Sequence, residues 1–428
     1  MKCILIINII KAIKDFYVKG EFEVLDYDFK WIRPNMSLYH MDKNYQFPIS
    51  ILNSGDLAID FNKYAIDFFN AAECVIHYLG EDAAENGDIA KLDLWYFAMV
   101  YLYRQSIELL LKANIFKVVI LENDRKLIIG DIRHDLKQGY DKLLELKDLE
   151  YTDNDNANWL WKYLADISRL DKESDMFRYP FGNNLNALFD KQTHISLAAT
   201  HDNMNKAFNI LSELYKTGNF TEQEYEAYSP QLIIEGGHYY QQSVVGYKYA
   251  QHSFYPYYSS YEEVGNFLKE KIVIDNKKDL FMPMCYMYRN AVELGLKRII
   301  IEDSHIERTK ALKILRRKKH SILGLWNSIV DEVDKYSNAS DDDTTLNDTT
   351  QYIQAFHDFD QSSDLFRYPC NKNLQVYFSE EKILDIENVS SCFEELCNFL
   401  DAVDSSLSYV KDIEAEIAQE MASYYDYY

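Results

Sequence analysis

The sequence predicts a mainly α-helical fold made of two copies of one helical bundle, and three observations carry this expectation. Gly (14) and Pro (7) are scarce among the 428 residues, which disfavours turn-rich sandwiches and barrels. Apolar residues, 47% of the chain, recur at threes and fours over long stretches. Three short motifs return in the same order 185 to 189 positions later.

The repeat is read from matched blocks. Residues 103–112 are YRQSIELLLK and residues 288–297 are YRNAVELGLK. Ser174-Asp175-Met176-Phe177-Arg178-Tyr179-Pro180 returns as Ser363-Asp364-Leu365-Phe366-Arg367-Tyr368-Pro369. Arg104 and Arg289 are 185 positions apart, His134 and His320 186, and Arg178 and Arg367 189. So small a drift requires only short loop insertions. The chain also exceeds what one hydrophobic core fills, so two or three domains are expected.

Taken in order, residues 1–60 form an N-terminal segment with no counterpart in the second half. Its apolar start, Met1 to Lys11, is interrupted by Asn8, and no small-residue cleavage site follows. It reads as a short buried helix or strand, not a signal peptide. The first copy spans 61–216. Leu94 to Val119 has helical periodicity without Pro or Gly and predicts a long buried helix. Asp135 is the expected N-cap of the next helix. A third runs over about Asn156–Leu170 and a fourth over about Asp202–Tyr215.

Residues 217–242, with Ser229-Pro230 and Gly236-Gly237, form a linker or short extended crossover. The second copy, 243–410, repeats the pattern. A long helix runs from about Leu280 to Ile301, with Pro283 tolerated in its first turn. Ser321 is an N-cap, and further helices lie near Thr350–Phe359 and Asn388–Val410. Each FRYP motif marks a helix end, because the residue before Pro is pushed out of the α region. Residues 338–350 are a polar, acidic loop, and 411–428 form an acidic, Tyr-rich tail.

Composition narrows the function. With 69 acidic against 45 basic residues the net charge is −24, so broad non-specific nucleic-acid binding is disfavoured, although a local basic cleft remains compatible. The six cysteines include no C-x-x-C pair, so a metal site and a disulfide framework are both unexpected. Reduced thiols in a cytoplasmic protein fit best. No 18-residue apolar window occurs, so no membrane span is expected. P-loop, G-x-S-x-G and H-E-x-x-H motifs are absent, and no cofactor is expected. The basic run Arg316-Arg317-Lys318-Lys319-His320 reads as a solvated helix end or a phosphate contact, and the first copy lacks it.

The candidate site is the polar constellation that both copies carry. Arg104, Glu108 and Lys112 share one helix face, as do Arg289, Glu293 and Lys297. Buried ions need partners, and the available ones are His134, Asp175, Arg178 and Tyr179 in one copy and His320, Asp364, Arg367 and Tyr368 in the other. Two readings stand. One is a buried network that fixes helix register and the FRYP turn. The other is a polar cleft in which Arg and Lys bind a phosphate or nucleotide and a histidine serves as acid or base.

On these residues the chain resembles the HEPN superfamily of prokaryotic helical domains. The likeness lies in Tyr-Arg-x3-Glu-x3-Lys, His134-Asp135-Leu136 (His320-Ser321-Ile322 in the second copy) and the FRYP turns. It covers roughly 61–216 and 243–410. The resemblance implies four- or five-helix bundles that pair through a cleft, here as an intramolecular pseudo-dimer. It further implies a place in defence, toxin–antitoxin or stress systems. Many members are metal-independent ribonucleases with four to six residues between an Arg and the His that follows it. Neither Arg178 nor Arg367 is followed by such a histidine; Arg33…His40 and Arg298…His305 have the spacing, and neither match is repeated elsewhere in the chain. The reading is therefore a nucleotide-, RNA- or partner-binding component, with a ribonuclease or nucleotide-modifying toxin as the alternative. The catalytic residues are left unassigned, a membrane partner is not expected, and an oligomer is left open.

Overall fold

The first long helix forms because its sequence repeats an apolar residue every three or four positions behind a good cap. In α1 (Leu57–Tyr78) the Asp56 side chain accepts from the Ala58 N–H, and Phe61, Tyr64, Ala65, Phe68, Ala71, Ala72 and Val75 line one buried stripe. Next, α2 (Ile89–Val118) starts at the Asp88 cap and is buried almost all round from Trp95 to Phe116. A helix with no polar face must sit at the centre of a core, and α2 packs against α1 and against later helices.

The computed structural model describes residues 30–39, 46–182, 186–237, 241–247, 253–337, 339–340 and 342–425. The apolar run at residues 1–11, His40 and the last three tyrosine-rich positions lie outside the described residues. Thirteen helices and four short strands are present among those described, so the fold is mainly α. No described helix is long and apolar enough to cross a membrane.

The first half continues with α3 (Glu122–Ile132), α4 (Leu136–Lys147), α5 (Asp155–Leu170) and α6 (Leu197–Thr217). Strand β1 (Pro48–Ile51) precedes α1, and β2 (Thr193–Ser196) precedes α6. The second half opens with β3 (Gln242–Val245) and α7 (Tyr255–Asp275), then α8 (Phe281–Arg298) ending in a π turn, Ile299–Asp303. It goes on through α9 (Arg308–Lys318), α10 (Ile322–Trp326), α11 (Val330–Ser337), α12 (Thr345–Phe359), β4 (Lys382–Asp385) and α13 (Ile386–Tyr425). Asp135 and Ser321 cap α4 and α10 by accepting from the N–H groups of Gln138 and Gly324. A strand followed by a helix opens each half of the chain.

The strands were not expected from the sequence. Each is four residues long, too short for a legible alternation. β1 pairs antiparallel with β4, Pro48 opposite Asp385 through Ile51 opposite Lys382. β2 pairs with β3, Thr193 opposite Val245 through Ser196 opposite Gln242. Each sheet therefore joins the start of one half to the end of the other.

The chain divides into two compact units that do not follow its order. One takes the described residues within Met41–Ala291 and Ser362–Glu387 and contains both two-stranded sheets. α2 lies at its centre against α1, α6 and α7. Trp95 Nε1 donates to Glu263 Oε2 at 2.7 Å, and the Ala98 N–H donates to Ser260 Oγ at 3.0 Å.

The other unit takes the described residues within Met1–His40, Val292–Gln361 and Asn388–Tyr428. Trp326, Phe356, Phe393 and Phe399 form its aromatic core, with Phe356 and Phe393 centroids 4.2 Å apart. Tyr352 donates to Glu395 Oε2 at 2.7 Å, and Arg33 pairs with the same carboxylate.

Candidate functional site

Glu108 is the hub of the first constellation. It sits in the middle of α2, 2% exposed, one turn from both Arg104 and Lys112. Arg104 Nη1 donates to Oε2 at 2.9 Å, and Lys112 Nζ donates to Oε1 at 2.7 Å. The Tyr368 hydroxyl donates to Oε1 at 2.7 Å, and His134 Nδ1 lies 3.1 Å from the same oxygen. Burial alone would raise the carboxyl pKa, but Lys112, His134 and Arg104 outweigh it and hold the value well below the usual range. Glu108 is thus a fixed anion.

Arg104 also holds the surrounding loops. Its Nη2 donates to the His134 carbonyl at 2.7 Å and to the Asp171 carbonyl at 3.2 Å, and its Nε pairs with Asp171 Oδ2 at 2.9 Å. Arg133, in an unusual positive-φ conformation, turns the chain so that His134 reaches Glu108.

His134 is where the network meets solvent, with 29% of its side chain exposed. It lines a hollow of about 250 Å³ with Arg133, Asp135, Gln138, Lys172 and Glu173. A carboxylate facing Nδ1 favours the tautomer protonated there and leaves Nε2 as the acceptor. Glu108 pulls the His134 pKa up, while burial, Lys112 and Arg367 pull it down; the net direction is down. A neutral imidazole oriented by a buried carboxylate is chemically a base or a hydrogen-bond acceptor. The hollow mixes cations with carboxylates, Lys172 lying 3.4 Å from Asp135, so it is not a strongly anionophilic cradle.

The same three side chains meet in the second copy. Lys297 Nζ donates to Glu293 Oε1 at 2.7 Å, and His320 Nδ1 lies 3.0 Å from that oxygen. Lys319 repeats the positive φ of Arg133, and 36% of the His320 side chain is exposed. Arg289 is buried.

The FRYP arginines occupy a different place. Arg178 Nε donates to the Ser174 carbonyl at 2.6 Å and Nη2 to Asp175 Oδ1 at 2.9 Å. Arg367 does the same with Ser363 at 2.7 Å and Asp364 at 2.9 Å. Ser174 and Ser363 both adopt positive φ, near 62° and 64°. The Arg178 guanidinium lies over the Tyr101 and Tyr179 rings, and that of Arg367 over Tyr286 and Tyr368. Arg178 is 3% and Arg367 4% exposed. Among the described residues their Nη1 atoms have no hydrogen-bond acceptor, and they lie within these tyrosine-lined surroundings. The FRYP segment is not a helix end: α5 stops at Leu170, and residues 175–179 form a separate turn whose amides at Asp175 and Met176 donate to Asp171 Oδ1.

Of the two spaced Arg…His pairs, Arg298 binds Asp404 at 2.5 Å while His305 lies 2.9 Å from Glu332 and 3.1 Å from Glu414. Their partners differ. His40, the mate of Arg33, is outside the described residues.

Sequence reasoning missed Asp171. Its signal was present: Asp171 and Asp360 each stand seven positions before the FRYP arginine, so the repeated motif is longer than the block first matched. A second polar cluster was also missed. Glu73 Oε1 accepts from the Tyr103 hydroxyl at 2.6 Å, and Oε2 lies 3.5 Å from His201 Nε2 and 3.6 Å from His77 Nε2. His201 Nδ1 lies 2.8 Å from Asp202. Among the described residues no three His, Cys, Asp or Glu side chains are grouped to hold a metal ion.

Set against known proteins, the chain matches no family model, no curated protein and no solved structure.

Proposed function

We propose that this chain is a tandem HEPN-like protein of a prokaryotic defence, toxin–antitoxin or stress system, whose two bundles act as an intramolecular pseudo-dimer that binds a nucleotide, RNA or protein partner. The observation that carries the binding reading is the state of Arg178 and Arg367. Each is buried and committed to a carbonyl and a carboxylate of its own turn. To contact a scissile phosphate, either arginine would have to break both bonds and desert its aspartate. The FRYP arginines act as structural pins, and the solvent-facing groups of the constellation are His134 and His320.

A second reading rests on those histidines. Glu108–His134 and Glu293–His320 have the form of carboxylate-oriented imidazoles, which favours metal-independent cleavage of RNA as the alternative. One experiment separates the two. Purified protein is incubated in EDTA with labelled total RNA and tRNA, beside His134→Ala/His320→Ala, while retention of the RNA is followed. Retention of intact RNA by the wild type is the expected result. Cleavage that disappears in the variant would establish the enzyme, and neither retention nor cleavage would leave a nucleotide or a protein partner.

A further inference from the structure

The most uneven charge in the molecule lies on α9. From Arg308 to Lys319 the chain reads RTKALKILRRKK, seven cations in twelve residues with no acid, inside a protein of net charge −24. The matching helix of the first half, α3, mixes Glu122, Asp124 and Asp131 with Arg125 and Lys126. The repeat can therefore fold without a basic helix here, and the cations belong to the second copy alone.

Arg308, Lys310, Lys313, Arg316, Arg317 and Lys319 are exposed, and none of the seven forms an ion pair within 4.0 Å among the described residues. With Glu307 the acid that precedes the run, a row of exposed cations without a close ion pair among the described residues offers a surface for an external anion. The helix dipole accounts for Arg316, Arg317 and Lys318 in the last turn. It does not account for Lys310 and Lys313, which lie further back. Lys310, Lys313 and Arg317, with Arg316 beside them, follow the spacing of one helix face and extend over roughly 10 Å of axis.

The apolar residues of α9 decide the class of partner. Ala311 and Leu315 are buried, and Leu312 and Ile314 are half-buried, so no exposed apolar stripe remains for insertion into a lipid surface. What remains is a row of point charges suited to a phosphate backbone. Two residues after α9 stands His320, held by Glu293 and partly exposed. We propose that α9 is the docking surface for the phosphate backbone of a nucleic acid, and that it delivers the bound strand to the His320–Glu293 pair. This deepens the RNA-binding reading above and rests on it.

The test is fluorescence anisotropy of a labelled 20-nucleotide single-stranded RNA with the full chain, from 50 to 250 mM salt. The comparison is between wild type, Lys313→Glu/Arg316→Glu/Arg317→Glu, and a charge-keeping Arg316→Lys/Arg317→Lys variant, with folding followed by circular dichroism. The charge reversal is expected to weaken binding at least tenfold and to flatten the log–log salt dependence by about 2, three lost cations at about 0.7 each. The charge-keeping variant should bind within about threefold of wild type and show that a fold change is not the cause. If wild type binds RNA and the charge reversal binds equally well, the surface assignment is wrong while the RNA-binding reading stands. Absence of RNA binding by wild type even at 50 mM overturns both. Preference for phosphatidylserine vesicles or polyglutamate over RNA overturns the assignment in favour of a membrane or an acidic protein.

Discussion

Tyr101 and Tyr286 stack with ring centroids 5.0 Å apart and planes 21° from parallel. They are counterpart positions of the two halves, 185 residues apart like Arg104 and Arg289. Each ring also lies beneath the guanidinium of a FRYP arginine, Tyr101 under Arg178 and Tyr286 under Arg367. The equivalent long helices thus meet at equivalent residues. Truncating either tyrosine to Ala should cost about 3–5 kcal/mol, since both are fully buried. A double-mutant cycle by urea unfolding should return a coupling of about 0.5–1.5 kcal/mol. A coupling near zero would mean that the stack contributes only its area.

The FRYP arginines should behave as structural pins. Arg178→Ala or Arg367→Ala takes the arginine away from a half-buried aspartate and should destabilise by about 3 kcal/mol, toward the low end because Asp175 and Asp364 retain some exposure. Arg→Lys should recover little, because one ammonium cannot reach the serine carbonyl and the aspartate from a single planar fork. Thermal unfolding measures both. Variants that keep wild-type stability would return these arginines to the list of candidate functional groups.

Periodicity and caps were legible because they are local. The long helices, the Asp135 and Ser321 caps and the shared face of Arg104, Glu108 and Lys112 all follow from spacings of one turn or less, and His134 was marked only by its return in the second half as His320. Burial was not legible. Arg104 and Glu108 could be read as a core or as a cleft, and their exposure is set by elements far away in sequence, including Tyr368. The strand pairings were hidden for a related reason: β1 and β4 are more than 330 positions apart, and neither is long enough to show alternation. The Glu73–His201 cluster had no signal, because its members come from three helices and the second half does not repeat them; there Tyr288 donates instead to Asn266 Oδ1 at 2.7 Å.

Tyr368→Phe isolates one bond of the Glu108 hub. The hydroxyl is buried and its loss leaves Glu108 with Arg104, Lys112 and His134 in place, so the cost should be about 1.5–3 kcal/mol, the range for a hydrogen bond to a charged group. His134 should also respond, because the hydroxyl lies 3.5 Å from Nδ1. Imidazole titration by NMR in both proteins would show the change. An unchanged His134 titration would mean that Tyr368 and the histidine act independently.

Two histidines should give stability opposite dependences on pH. The folded pKa of His134 is depressed below its ordinary 6.5, so the unfolded chain binds the proton more readily; this contribution is intact above about 6.5 and is lost as pH falls below it. His201 is raised, first by its hydrogen bond to Glu73 and then by Asp202, against burial. Its contribution is fully present below about 6.5 and is lost as pH rises through the elevated folded value. Denaturant unfolding of wild type, His134→Gln and His201→Gln at pH 5, 7 and 9 separates them. The wild-type advantage over His134→Gln should shrink from pH 7 to 5. That over His201→Gln should shrink from pH 7 to 9. Parallel curves for both variants would show that neither imidazole changes its proton affinity on folding, and the electrostatic account of both clusters would fail.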